Sequence, residues 1–270
     1  MTLAFITPEL SYRLEQCHAW RSVNYAAAYQ RLHPEAQTAV LHVGGGTCVF
    51  VSPSLPLNNA CALGLTGPVQ PEELEAVEDF YLSRGVPPRL HASPLCDHAF
   101  FDLLCQRGYR LTGFFSALAR PIPPDFSPAP LPDGLTIRRA RPEEAEQWIR
   151  LTGQGFEGAE TISPEAVEIL GPNFHAEEAA PYIAFMEGQP AGGGGMYYHD
   201  GVVELGGAST RPAFRRRGVQ RALIEARLAH ARDVGCDLAL VLTEPGSDSQ
   251  RNVERAGFAL AYTRVVLTKQ

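Results

Sequence analysis

Two distant stretches of this chain carry one pattern. GYRLTGFFSALAR, Gly108 to Arg120, reads against GFALAYTRVVLTK, Gly257 to Lys269, at an offset of 257 − 108 = 149 residues. Carried backward, the same offset sets FYLSRGVPPRLHAS, from Phe80, beside the region containing ARDVGCDLALVLTE. A period of this length implies two copies of one folded unit, a tandem duplication. Between the copies lies RPIPPDFSPAPLPDG, Arg120 to Gly134, with six prolines from Pro121 to Pro132. Proline at that density forbids helix and central strand and leaves a stiff connector. The expected organisation is a first domain over 1–120, a linker over 121–134 and a second domain over 135–270. Each is long enough for its own core.

The second half reads as α+β with mixed strands. A strand at Leu135–Ala140 precedes a helix opening at Pro142 and running to about Gly153, and then a polar, glycine-containing region reaches about Ala180. Strands are expected at Tyr182–Met186, about Gly194–His199 and Val202–Thr210, with His199-Asp200-Gly201 as a hairpin turn. A helix from Val219 to near Gly235, a strand at Asp237–Leu242, a short helix at Asp248–Ala256 and a last strand around Tyr262–Thr268 complete it.

The helix from Val219 poses a problem of charge. Its apolar residues Val219, Ala222, Leu223, Ala226 and Ala229 fall at helical spacing, and Arg221 with Glu225 forms an i, i+4 pair. Yet Arg215, Arg216, Arg217 and Arg221 crowd its start, where the helix dipole already places about half a positive charge. The first copy opens its equivalent helix with Pro71, Glu72, Glu73 and Glu75, which satisfy the dipole internally. The second copy is therefore open to an anion, and helix amides, Gly218 and arginines together make a phosphate cradle.

The segment TRPAFRRRGVQRALI, Thr210 to Ile224, resembles the acyl-CoA-binding segment of the GNAT superfamily of N-acyltransferases. Arg215 and Gly218 fit its hallmark, Pro212 stands where the family pattern has proline, and the last hallmark position is Gln220. SQRNVERAGF, Ser249 to Phe258, is similar to the family's closing helix and Gly-Phe signature. The resemblance implies a mixed-sheet GNAT-like α/β fold, two tandem acyltransferase-like domains, and acetyl-CoA as cosubstrate with no metal. It implies a coenzyme diphosphate on the helix start, at Arg215, Arg216, Arg217, Gly218, Val219, Gln220 and Arg221. The pantetheine arm would lie along Ala208, Ser209 and Thr210, with Ser249 and Asn252 as further contacts.

Alternation along Val202–Thr210 puts Glu204, Gly206, Ala208 and Thr210 on one face, where Glu204 is the ionisable group. It stands where many relatives carry a glutamate base. The tyrosine acid of many relatives is replaced here by Val253, which leaves Tyr262 as candidate acid, or Ser249, or a thiolate that leaves unaided.

Other features read as structure. Gly44–Gly46 and Gly192–Gly195 lack the continuation of a P-loop and suit hairpins or bulges. His91, Cys96, His98 and Cys105 match no zinc spacing. Trp20 and Trp148 read as core. One of Tyr197, Tyr198 and His199 is expected inward, with the others free to touch substrate, and Glu157 and Glu160 could hold a cationic amine.

The reading is an N-acetyltransferase that moves an acetyl group from acetyl-CoA to a primary amine of a small molecule or peptide by direct attack. Its first copy would be degenerate, coenzyme-free, and would shape the acceptor cleft. The alternative is a non-catalytic acyl-CoA or nucleotide-binding module. A balance of 23 Lys and Arg against 30 Asp and Glu, net −7, argues against a nucleic-acid partner. Six scattered cysteines, no signal pattern at the start and no membrane-length apolar run point to a cytoplasmic protein, monomer or homodimer.

Overall fold

The computed structural model describes residues 5–270, so the first four residues of the start read above lie outside it. The chain divides into two compact units. The first, here the N-unit, holds the described residues up to Leu118 together with Leu242–Gln250 and Ala259–Gln270. The C-unit holds Ala119–Val241 and Arg251–Phe258. The last strand of the sequence thus packs with the first half of the chain.

In the N-unit, helix α1 (Pro8–Leu32) starts where the Thr7 side chain accepts the Leu10 amide, with proline at the first helical position. Strands β1 (Ala39–Val43) and β2 (Gly46–Phe50) form a hairpin over the positive-φ turn Gly44-Gly45. Next come β3 (Asn59–Cys61), helix α2 (Pro71–Leu82), β4 (Arg89–Ala92), helix α3 (His98–Gln106) and β5 (Tyr109–Pro121). In the C-unit, β6 (Leu135–Arg139) is followed by a 3-10 turn at Pro142–Glu144 and helices α4 (Ala145–Glu157) and α5 (Pro164–His175). Strands β7 (Tyr182–Met186), β8 (Gln189–His199) and β9 (Val202–Thr210) form a meander, then helix α6 (Val219–Asp233), β10 (Leu238–Thr243) and helix α7 (Asp248–Arg255). Strand β11 (Ala259–Lys269) returns to the N-unit.

From their meanders onward the two halves run in one order, β1-β2-β3-α2-β4-α3-β5 and β7-β8-β9-α6-β10-α7-β11, whereas the second half opens with β6 and two helices where the first has α1 alone. Helix α6 follows α2 by 219 − 71 = 148 residues, β10 follows β4 by 238 − 89 = 149, and β11 follows β5 by 259 − 109 = 150. Within the N-unit the strand order is β1-β2-β3-β4-β11-β5, with β3 parallel and β11 antiparallel to β4. The C-unit order is β10-β9-β8-β7-β6, antiparallel except where β10 runs parallel to β9. Such a mixed sheet needs both faces covered, and helices supply the cover. Leu74, Val77, Tyr81, Phe100 and Leu104 from α2 and α3 build the N-unit core, and Trp148, Leu151, Leu170 and Phe174 build that of α4 and α5.

Helix α5 occupies the stretch expected to be irregular. Its signals are local: the Ser163 hydroxyl accepts the Ala166 amide, and Pro164 sits at the first position. Helix α4 also runs past Gly153 to Glu157, because those glycines serve packing. A Cβ on Gly155 would lie 2.2 Å from Ser209 Oγ, so only glycine lets α4 approach β9 this closely. Trp148 is fully buried and Trp20 half-buried. Among the described residues no helix is long and apolar enough to cross a membrane, and no three His, Cys, Asp or Glu side chains form a metal-holding group.

Candidate active site

The run Thr210–Val219 forms a shaped loop. After β9 ends, a 3-10 turn at Pro212–Phe214 buries Phe214, Arg215 is extended, and Arg216 and Gly218 both adopt left-handed backbone with φ of +62° and +82°. An arginine held there carries roughly 1–3 kcal/mol of strain, the kind of distortion that collects at ligand clamps. Gly218 is the N-cap of α6, no side chain caps the helix, and its first turn has no acid. The first amides of a helix have no partner within it, so this terminus presents free donors. In α2, by contrast, the Glu73 carboxylate accepts the Gln70 amide at 2.8 Å in a capping box behind Pro71.

The four arginines divide into two pairs. Arg215 donates to the carbonyls of Gly155 at 2.9 Å and Thr210 at 3.4 Å, bracing the end of α4 against β9. Arg217 pairs with Glu187. Arg216 and Arg221 are exposed and make no ion pair or hydrogen bond among the described residues. The expected Arg221–Glu225 pair is absent: Glu225 is buried and pairs with Arg120 at 3.2 Å, its other oxygen accepting from the Ala129 amide at 3.4 Å. The proline-rich stretch lies along α6 and covers that face, and Pro132 Cγ stands 2.9 Å from where a Gly218 Cβ would be.

Glu204 on β9 is buried, opposite Tyr197 on β8 and Leu240 on β10. The parallel pairing of β10 with β9 stops there, although both strands continue. Beyond it β9 carries a bulge: Gly195 pairs with Gly206 and Gly193 with Ser209, so two further residues, Gly207 and Ala208, face only Gly194. Gly207 takes φ +55° to allow it. The simple alternation expected from the sequence therefore fails. Ala208 turns toward Gly194, while Ser209 turns to the opposite face and donates to Thr152 O at 2.7 Å. Thr210 Oγ1 and Thr152 Oγ1 are buried without a partner, as is Arg211 Nε.

Residues 144–258 match the Acetyltransferase (GNAT) family. The matched segment takes in Glu204, the bulge and the whole arginine loop. Solved structures with the same fold include a GCN5-related N-acetyltransferase from Kribbella flavida, 19% identical, TM-score 0.66, covering 93% of this chain and 95% of that one. A tandem GNAT protein from the clavulanic acid biosynthesis pathway is 13% identical, TM-score 0.59, over 97% and 93%. A GCN5-related N-acetyltransferase from Sphaerobacter thermophilus is 18% identical, TM-score 0.55, over 87% and 76%. At these identities the likeness is one of fold. No curated protein matches the chain.

The matched segment gathers Glu204, Ala208, Ser209, Thr210 and the loop from Arg215 to Arg221 on neighbouring elements, and Asn252 lies in the same unit. Ser249 and Tyr262 lie in N-unit segments. Tyr262 is buried, and its hydroxyl donates to Glu15 Oε1 at 2.6 Å; burial, then the Glu15 charge, push its pKa well above the phenol range. Glu157 binds the amide and hydroxyl of Ser163, and Glu160 pairs with Arg211 at 3.2 Å. Tyr197 is the inward tyrosine, donating to Asn173 at 2.9 Å, with Tyr198 and His199 half-buried.

Proposed function

We propose that this protein is an N-acetyltransferase in which the C-unit alone takes acetyl-CoA. The observation that carries the reading is the start of α6: uncapped amides, a left-handed Gly218, and two uncommitted arginines in a segment matching the acetyltransferase family. Those residues suit a diphosphate, which takes helix amides and guanidinium groups at once. The amides of Gly218, Val219, Gln220 and Arg221 would hold it, with Arg216 and Arg221 adding charge. Arg215 and Arg217 shape the loop from below.

Ala208–Thr210 would meet the acyl-bearing arm, and the partnerless Thr210 hydroxyl offers it a hydrogen bond. When bound, acetyl-CoA supplies a thioester carbonyl open to attack by an amine. Glu204, buried at the point where β9 and β10 cease to pair, takes the proton that the amine sheds. No tyrosine acid is required, since a thiol with a pKa of about 8.5 leaves readily as thiolate. The N-unit is a coenzyme-free copy: the Glu73 carboxylate already occupies the corresponding helix start. The acceptor is a primary amine of a small molecule or peptide.

The test is calorimetric titration with acetyl-CoA, followed by thiol release across a panel of amines. The wild type should bind one equivalent, and Arg216→Glu with Arg221→Glu should abolish binding. Glu204→Gln should still bind while thiol release falls by about a hundredfold or more. Unchanged affinity in the double variant would overturn the assignment of the helix start.

A further inference from the structure

Arg227 lies on α6 two turns beyond Val219, and it is 1% exposed. It has no carboxylate partner; its charge is met only by carbonyl oxygens. Nε donates to Leu223 O at 2.9 Å within the helix, and Nη1 donates to Gly195 O at 2.7 Å and reaches Gly206 O at 3.4 Å. A buried cation without a counter-charge is costly, and an apolar side chain of the same length would fill the space more cheaply. Burial accordingly pushes its pKa down to about 10.

The carbonyls it holds explain its retention. Gly195 and Gly206 are the last paired residues before the bulge, where the ladder of β8 and β9 is interrupted and backbone groups lose regular partners. The chain clears room for the guanidinium. A Cβ on Gly194 would stand 3.1 Å from Arg227 Cζ and equally close to the Ala208 methyl. Of the four glycines, Gly194 is thus reserved for Arg227, and Gly193 for Trp148 and Thr152 on the other face.

We infer that Arg227 is a positioning residue that holds the β9 bulge and fixes Ala208–Thr210 relative to the start of α6. One end of a single rigid helix presents the anion cradle, and its third turn grips the strand that would meet the acyl arm. The inference rests on the proposed coenzyme site. Its signature is a split between two parts of one ligand. ADP needs only the helix start, whereas acetyl-CoA also needs the strand.

The experiment compares Arg227→Lys with the wild type by calorimetry, using ADP and acetyl-CoA as probes. Lysine keeps the charge but cannot fork between Leu223, Gly195 and Gly206. ADP affinity should stay within about twofold, and acetyl-CoA affinity should fall by about tenfold, the equivalent of one well-formed hydrogen bond. Gly194→Ala, which crowds the guanidinium without removing it, should give the same selective loss and serves if the lysine variant does not fold. Equal losses for both probes, or none, overturn the inference. If the wild type binds neither probe, the coenzyme reading falls, and amide hydrogen exchange decides the rest. Faster exchange over 205–209 than over 182–186 in Arg227→Lys upholds the grip on the bulge, and equal exchange refutes it.

Discussion

Individual residues mattered most where their partners were distant in sequence. The crowding of Arg215, Arg216, Arg217 and Arg221 at the start of α6 is plain in the sequence, but its division is not. Arg215 is committed to Gly155 and Thr210 and Arg217 to Glu187, contacts spanning up to 60 residues. Tyr262 likewise reads as a candidate acid in sequence, whereas its hydroxyl is bound to Glu15 of the same unit. His91 illustrates a cost that sequence cannot display. Both ring nitrogens are buried without partners, and burial, then the charges of Arg264, His18 and Arg89, drive its pKa well below the usual value. The folded protein keeps it neutral, while the unfolded chain binds a proton below about pH 6.5. Its contribution to stability is therefore present above that pH and lost as pH falls, by about 1.4 kcal/mol per unit once the unfolded imidazole is charged. Urea unfolding of His91→Leu between pH 5 and 7.5 should show a flatter pH dependence than the wild type by that slope. Parallel profiles would mean that His91 is not held neutral.

Elements were legible where periodicity was strong and unclear where glycine and proline obscured it. The meander β7–β9, helix α6 and the closing α7 followed from alternation, capping and stop residues. Helix α5 was missed although Ser163 and Pro164 announce it, because Gly171 and Pro172 interrupt its pattern. Pro172 has no N–H for the carbonyl four residues before it, so α5 forgoes one bond in the turn ahead of its last. The bulge in β9 was hidden for a different reason: Gly206-Gly207 permits a bulge without requiring one. Gly155 shows how such a residue is read once neighbours are known. Gly155→Ala should push α4 off β9, costing about 1–3 kcal/mol as overpacking does. Thermal melts and acetyl-CoA titration should register the loss together, since Ser209 and Thr210 line the proposed arm site. A variant of unchanged stability would show that the contact can relax.

At the scale of the molecule, the internal repeat implies two similar halves, and the order of elements agrees from β1 and β7 onward, while β6 and a second helix before the meander belong to the second half alone. What the repeat did not announce is that β11 packs with the N-unit, between β4 and β5. Strand exchange leaves no mark on periodicity, because a strand pairs by backbone atoms common to every sequence. Side chains then lock the arrangement. Arg264 of β11 and Glu15 of α1 are completely buried, with Arg264 Nε 2.6 Å from the carboxylate. Lys269 and Arg107 converge on Glu78. Removing one partner of a buried pair strands the other, so Arg264→Met should cost about 3–5 kcal/mol, measured by urea unfolding. A loss under about 1 kcal/mol would mean that water reaches Glu15.

The placement of β11 also dictates an order of events during synthesis. The ribosome makes Leu118 and then 258 − 118 = 140 more residues before it reaches Ala259. At about 5–20 residues per second, that delay is roughly 7–28 seconds. For all of it the sheet begun by the first half waits with a gap between β4 and β5, its backbone donors and acceptors exposed to any passing strand. The half that is translated first is therefore the half that finishes folding last.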